Sequence, residues 1–144
     1  MQTLLNTPHE IIQQNILGAA AKAKTRILNI LVLGMMAGSF IAMGAQSSSL
    51  AVHNISNIGL ARTLAGCIFP VGLMMIVFVG GELFTGDCMM SMAWMQRKIH
   101  FADMLRTLVL VYVSNFVGAA LIAFLVAHSG QYDYSSGALG AYTI

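Results

Sequence analysis

The chain has 144 residues, of which 58% are hydrophobic and 8% charged, with a mean hydropathy of +0.79 and a formal net charge of +2. A soluble domain carries roughly 25% charged residues, so this composition points to an integral membrane protein whose partner is the lipid bilayer, and the scattered basic residues offer no patch for nucleic acid. Cys67 and Cys88 sit in apolar runs without a His or second Cys at metal or redox spacing, so they read as small core residues, with no metal and no cofactor expected.

The first expected element is an amphipathic helix over residues 7–25. Thr7 caps it, Pro8 suits its first position and Glu10 completes a capping box. Ile12, Ile16, Ala19, Ala20 and Ala23 recur at helical spacing while Gln13, Gln14, Lys22 and Lys24 stay polar, which predicts a helix lying at the membrane interface. Roughly 26 residues precede the first long apolar run, which does not fit a cleaved leader with a short basic start.

Residues 27–45 form the first expected span, with Gly34, Gly38 and Ala42 on one stripe as a packing face. A polar loop follows over 46–61, with Ser47, Ser48, Ser49, His53, Asn54 and Asn57. The next run, 63–96, has no Lys or Arg, and as one straight helix it would be about 51 Å long. The bilayer core is about 30 Å thick, so this second span is expected to be discontinuous. It breaks at Gly80-Gly81-Glu82-Leu83-Phe84-Thr85-Gly86-Asp87, a polar stretch bounded by glycines. Irregular backbone at membrane depth persists only where protein buries it or where it lines a wet cavity, so a pathway is expected at the loop, about residues 80–87.

The first arm contains Pro70 as a tolerated kink, and the second arm, 88–95, is about 12 Å long and cannot span alone. Residues 105–127 form the third span, with Ser114, Asn115 and Gly118 as the polar and small residues of a helix contact, and 128–144 turns polar as an outer loop. Lys22, Lys24, Arg26, Arg97, Lys98 and Arg106 share one side against Arg62 on the other, which places the N-terminus in the cytoplasm. No nucleophile, base and orienting residue can be assembled, so an enzyme is not expected. The fold class is an all-α membrane protein, a single domain over 1–144 with an interfacial helix and three membrane segments.

The run from Gly80 to Gly86 resembles the signature of the formate/nitrite transporter family, and the order of elements around it, including Asn115-Phe116-Val117-Gly118-Ala119, is similar too. The resemblance implies a homo-pentamer in the inner (cytoplasmic) membrane, each protomer built from two inverted three-span repeats around a pathway for small monovalent anions such as formate, nitrite or hydrosulfide. This chain corresponds to the first repeat and reads as truncated before the second. None of its histidines falls in a broken-helix motif. The wording through Cys88 is closest to the hydrosulfide branch. By resemblance Phe84 belongs to an apolar constriction that favours a neutral protonated form, Thr85 offers its hydroxyl to the anion, and Met89 occupies a neighbouring gate.

Ordinary readings stand beside these. Phe84 and Met89 can be core packing, and Thr85 a plain loop hydroxyl. Glu82 is expected to tie loop amides, the other reading being direct contact with the permeant species. Asp87 is expected to cap the second arm, and Gly80, Gly81, Leu83 and Gly86 shape the loop. A non-conducting membrane fragment or assembly partner lacking the second repeat is the alternative to a channel.

Overall fold

A computed structural model describes residues 6–143; the first five residues and the last of the expected domain 1–144 lie outside the described residues. Every regular element among them is helical: α1 (Pro8–Lys22), α2 (Ile27–Val52), α3 (Ile58–Ile68), α4 (Pro70–Val79), α5 (Phe84–Asp87), α6 (Met90–Met95), α7 (Phe101–His128), a 3-10 turn (Gln131–Asp133) and α8 (Ala138–Thr143). By length and composition α2, the α3–α4 run and α7 can each cross a membrane.

The capping box opens α1 as its sequence requires: Thr7 N–H donates to Glu10 Oε2 at 2.6 Å and Glu10 N–H to Thr7 Oγ1 at 3.4 Å. Its apolar stripe meets protein and not only an interface. Ile16 and Ala19 are buried with Met90 and Ala93 of α6 and Met104 of α7 in one cluster. Thus α1 roofs the second arm of the broken helix.

The first long helix runs on past 45 to Val52. The serines do not stop it, because Ser48 faces a neighbour and donates to Ala65 O of α3 at 3.4 Å, while Gln46 donates to Gln131 Oε1 at 2.9 Å. The expected loop over 46–61 shrinks accordingly. Asn57 caps α3 by accepting the Leu60 N–H at 3.1 Å. Pro70 lacks an N–H, and Gly72 falls back on Phe69 O at 3.1 Å, so α3 passes into α4 through an irregular turn.

Glycine contacts fix how the spans pack. A Cβ on Gly38 would lie 2.0 Å from Asn115 O, and one on Gly118 would lie 2.0 Å from Met35 O, so α2 and α7 touch backbone to backbone. Ser39 Oγ donates to Gly118 O across the same seam at 3.1 Å. The expected third member of the stripe, Ala42, is only half-buried. Gly44 takes a different role, meeting α4, where a Cβ would sit 2.9 Å from Phe69 O. Six residues beyond Gly38 is about 120° around the helix from the first seam, so α2 is held between α7 and α4.

Cys67 and Cys88 are exposed, not core. Cys67 lies on α3, which buries no residue among the described ones, and Cys88 lies in the turn between α5 and α6.

Gly38→Leu is expected to separate α2 from α7 and to destabilise the protein by at least the roughly 1–3 kcal/mol of ordinary overpacking, because backbone has no rotamer to yield. Gly66→Ala, with nothing within 4 Å of the added carbon, should be neutral or slightly stabilising. Thermal unfolding of both variants in detergent checks the contrast; equal shifts would remove the seam as the explanation.

Candidate functional site at the helix break

The break starts where Gly80 ends α4 in the left-handed conformation, with φ 72° and ψ 34°. Gly80 and Gly81 both donate to Ile76 O, the second at 2.9 Å, which satisfies the helix end as a glycine C-cap does. Leu83 is extended, and helix resumes at once in α5. The irregular stretch is therefore shorter than 80–87: Phe84, Thr85, Gly86 and Asp87 form a helical turn, and the second arm begins four residues earlier than the sequence suggests.

The reason lies on another helix. Asn115 of α7 accepts the Phe84 N–H through Oδ1 at 3.0 Å. Its Nδ2 donates to Glu82 O at 2.9 Å and to Gly34 O of α2 at 2.8 Å. One amide side chain thus caps the second arm, satisfies a loop carbonyl and binds both to α2. The tie expected from Glu82 belongs to Asn115, and so does the capping expected from Asp87. Sequence reading placed Asn115 only at a helix contact; its signal was a strong donor and acceptor in the middle of an apolar helix, where it has to find partners.

Both carboxylates turn instead to Lys22 at the end of α1. Its Nζ donates to Glu82 Oε2 and, at 2.6 Å, to Asp87 Oδ1. Asp87 is completely buried, and its Oδ2 has no partner among the described residues. Partial burial pulls the Lys22 pKa down, but the hydrogen bonds and charges of Asp87 and then Glu82 outweigh it and hold the ammonium above its ordinary value. Positive charge at Lys22 therefore stabilises the docked α1 at every physiological pH, and this contribution is lost only as pH rises through the raised value. In the sequence Lys22 reads as part of the polar face of the first helix and of the charge bias. The missed signal was that two carboxylates inside a membrane segment need a cation.

Two grooves meet at the loop. One, of about 300 Å³, is walled by Gly38, Ile41, Phe84, Tyr112, Asn115, Phe116 and Ala119; the other, of about 380 Å³, by Lys22, Leu73, Ile76, Val77 and the glycines of the break. Leu83 and Thr85 line both. Phe84 packs edge-on against Tyr112 with ring centres 5.4 Å apart. Met89 joins neither groove: it is 47% exposed and lines a smaller cavity under α1 with Ile11, Gln14, Asn15 and Asp87. No group of three or more His, Cys, Asp or Glu able to hold a metal occurs among the described residues.

A solved structure described as an FNT family ion channel has this fold, with a TM-score of 0.76 at 23% identity over 85% of this chain and 50% of that one. Among curated proteins, Formate channel BtFdhC of Bacillus thuringiensis is 35% identical over 126 residues, covering 85% of this chain and 49% of its own. A probable formate transporter of Methanothermobacter thermautotrophicus is 33% identical over 114 residues, covering 76% of this chain and 42% of its own. The chain spans about half the length of the curated relatives it matches. Residues 9–144 match the formate/nitrite transporter family model, and the chain belongs to that family, one of channels and transporters and not of enzymes.

Proposed function

We propose that these residues form one wall of a membrane passage for small monovalent anions, with the break in the second span as its narrowest lining. The observation that carries this reading is that Leu83 and Thr85 line the grooves on both sides of the loop, so a solute crossing from one groove to the other passes them. Phe84 and Leu83 form the apolar constriction and Thr85 supplies a hydroxyl within it. Met89 guards the approach beneath α1. Apolar walls favour transfer of a neutral, protonated form, since an unpaired charge in such surroundings is strongly penalised.

The groove beside Phe84 stands open on its far side, where Phe116 is 68% and Tyr112 61% exposed. A second, inverted three-span unit closes it and makes this chain one half of the pathway. Formate is the first candidate, supported by the relatives named for it. Hydrosulfide follows, supported by the Gly80–Cys88 wording, and nitrite completes the set. The passage lies in the cytoplasmic membrane with the N-terminus inside, supported by the distribution of basic residues, and its protomers assemble as a homo-pentamer.

Proteoliposome flux with formate, nitrite and hydrosulfide tests the reading. Residues 1–144 expressed by themselves leave the groove open and should insert without conducting, and a family-type second half supplied on a separate chain should restore flux. Robust flux through residues 1–144 alone would overturn the half-pathway. In the conducting assembly Thr85→Val should slow flux severalfold with assembly intact, because it removes one hydroxyl at nearly constant shape; unchanged flux for all three anions would take Thr85 out of the lining. Asn115→Leu should prevent assembly, since it strands the Phe84 N–H and two carbonyls at about 1–3 kcal/mol for each unsatisfied group. Size-exclusion chromatography and thermal unfolding report this, and a well-assembled, stable Leu variant would show that the loop holds its shape without the amide.

A further inference from the structure

The cluster beneath the loop has one charge too many. Lys22 offers one ammonium to two carboxylates, Glu82 and Asp87, and its pKa stands above the ordinary value, so it does not lose its proton to them. If both acids were ionised the group would carry a net charge of −1. Asp87, with no exposed side-chain surface, would then hold an ionised Oδ2 without a hydrogen-bond donor among the described residues. Burial of an unpaired carboxylate oxygen is among the costliest arrangements available to a protein, and a group so placed takes up a proton instead.

No other charged residue among the described ones lines the two cavities that meet at the cluster. To Lys22, α1 adds the neutral Gln14 and Asn15 and the apolar Ile11, Gly18 and Ala19. There α4 and the break add apolar side chains, glycines and Thr85, and Met89 and Met90 are the only residues beyond Asp87, with none from α2 or α7. The charge balance therefore rests on Lys22, Glu82 and Asp87 alone among the described residues lining them.

We propose that the buried Asp87 binds a proton at Oδ2 while Glu82 pairs with the Lys22 ammonium, making the cluster neutral when an anion approaches the loop. The last clause rests on the anion-passage reading; the proton site does not. Removing either acid leaves a one-to-one ion pair with Lys22 that needs no proton.

Infrared spectroscopy of the protein in lipid vesicles tests this. The wild type should show, at mildly acidic pH that is still above the ordinary carboxyl range, the carbonyl band of one protonated, buried acid, shifting in D2O and fading at alkaline pH. Glu82→Gln and Asp87→Asn, which keep the shape of each side chain, should each abolish that band with retained helicity and size-exclusion profile. Absence of the band in wild type, or its survival in both variants, overturns the proposal. If one variant does not fold, the other decides alone. Flux separates the two readings: the band without anion flux overturns the passage and leaves the proton site standing, whereas flux without the band overturns the proton site.

Discussion

A single amide side chain makes the break possible. Interrupting a helix at membrane depth frees backbone donors and acceptors that lipid cannot satisfy. Asn115 answers with three bonds, to Phe84 N, Glu82 O and Gly34 O, all between 2.8 and 3.0 Å. The first two replace helix bonds lost at the break, and the third anchors them to α2. An apolar residue could fill the space but would satisfy none of these groups. A longer amide would have to push the loop away from α7.

That arrangement needs α7 and α2 unusually close. Asn115 can reach Gly34 O only because Gly34, Gly38 and Gly118 let the two helices approach until backbone meets side chain and backbone. The glycine seam is therefore more than a packing convenience; it sets the distance at which Asn115 works. On the other side of α2, Gly44 and Gly72 let α4 approach as well, though less tightly, at 2.9 and 2.6 Å from an added Cβ against 2.0 Å in the first seam, so both neighbours of the break are referenced to one helix.

Much of this was legible in the sequence, and what was not has a common cause. The presence of three apolar spans, the interruption at Gly80-Gly81 and the Thr7 capping box follow from local spacing, and the structure contains all three, although α2 runs past its expected end to Val52. The partners of the polar residues were misjudged, because partner choice is a tertiary matter. Asp87 precedes a short arm and has the chemistry of a cap, yet Lys22, 65 residues earlier, reaches it first. Glu82 has the chemistry of an amide tie, yet Asn115 stands nearer the amides. Likewise Ser47 to Ser49 look like a loop until a neighbouring helix gives Ser48 an acceptor.

The two tethers also explain which loop residues are left free. Asn115 holds main-chain groups of residues 82 and 84 from one side, while Lys22 holds the carboxylates of 82 and 87 from another. Leu83 and Thr85 fall between the tethered positions, and these two line both grooves. The loop is thus secured by its backbone and its acids, with one apolar and one hydroxyl side chain turned to open space. In the proposed passage a solute would meet those two side chains and the net charge behind them, because the carboxylates of Glu82 and Asp87 are drawn to Lys22.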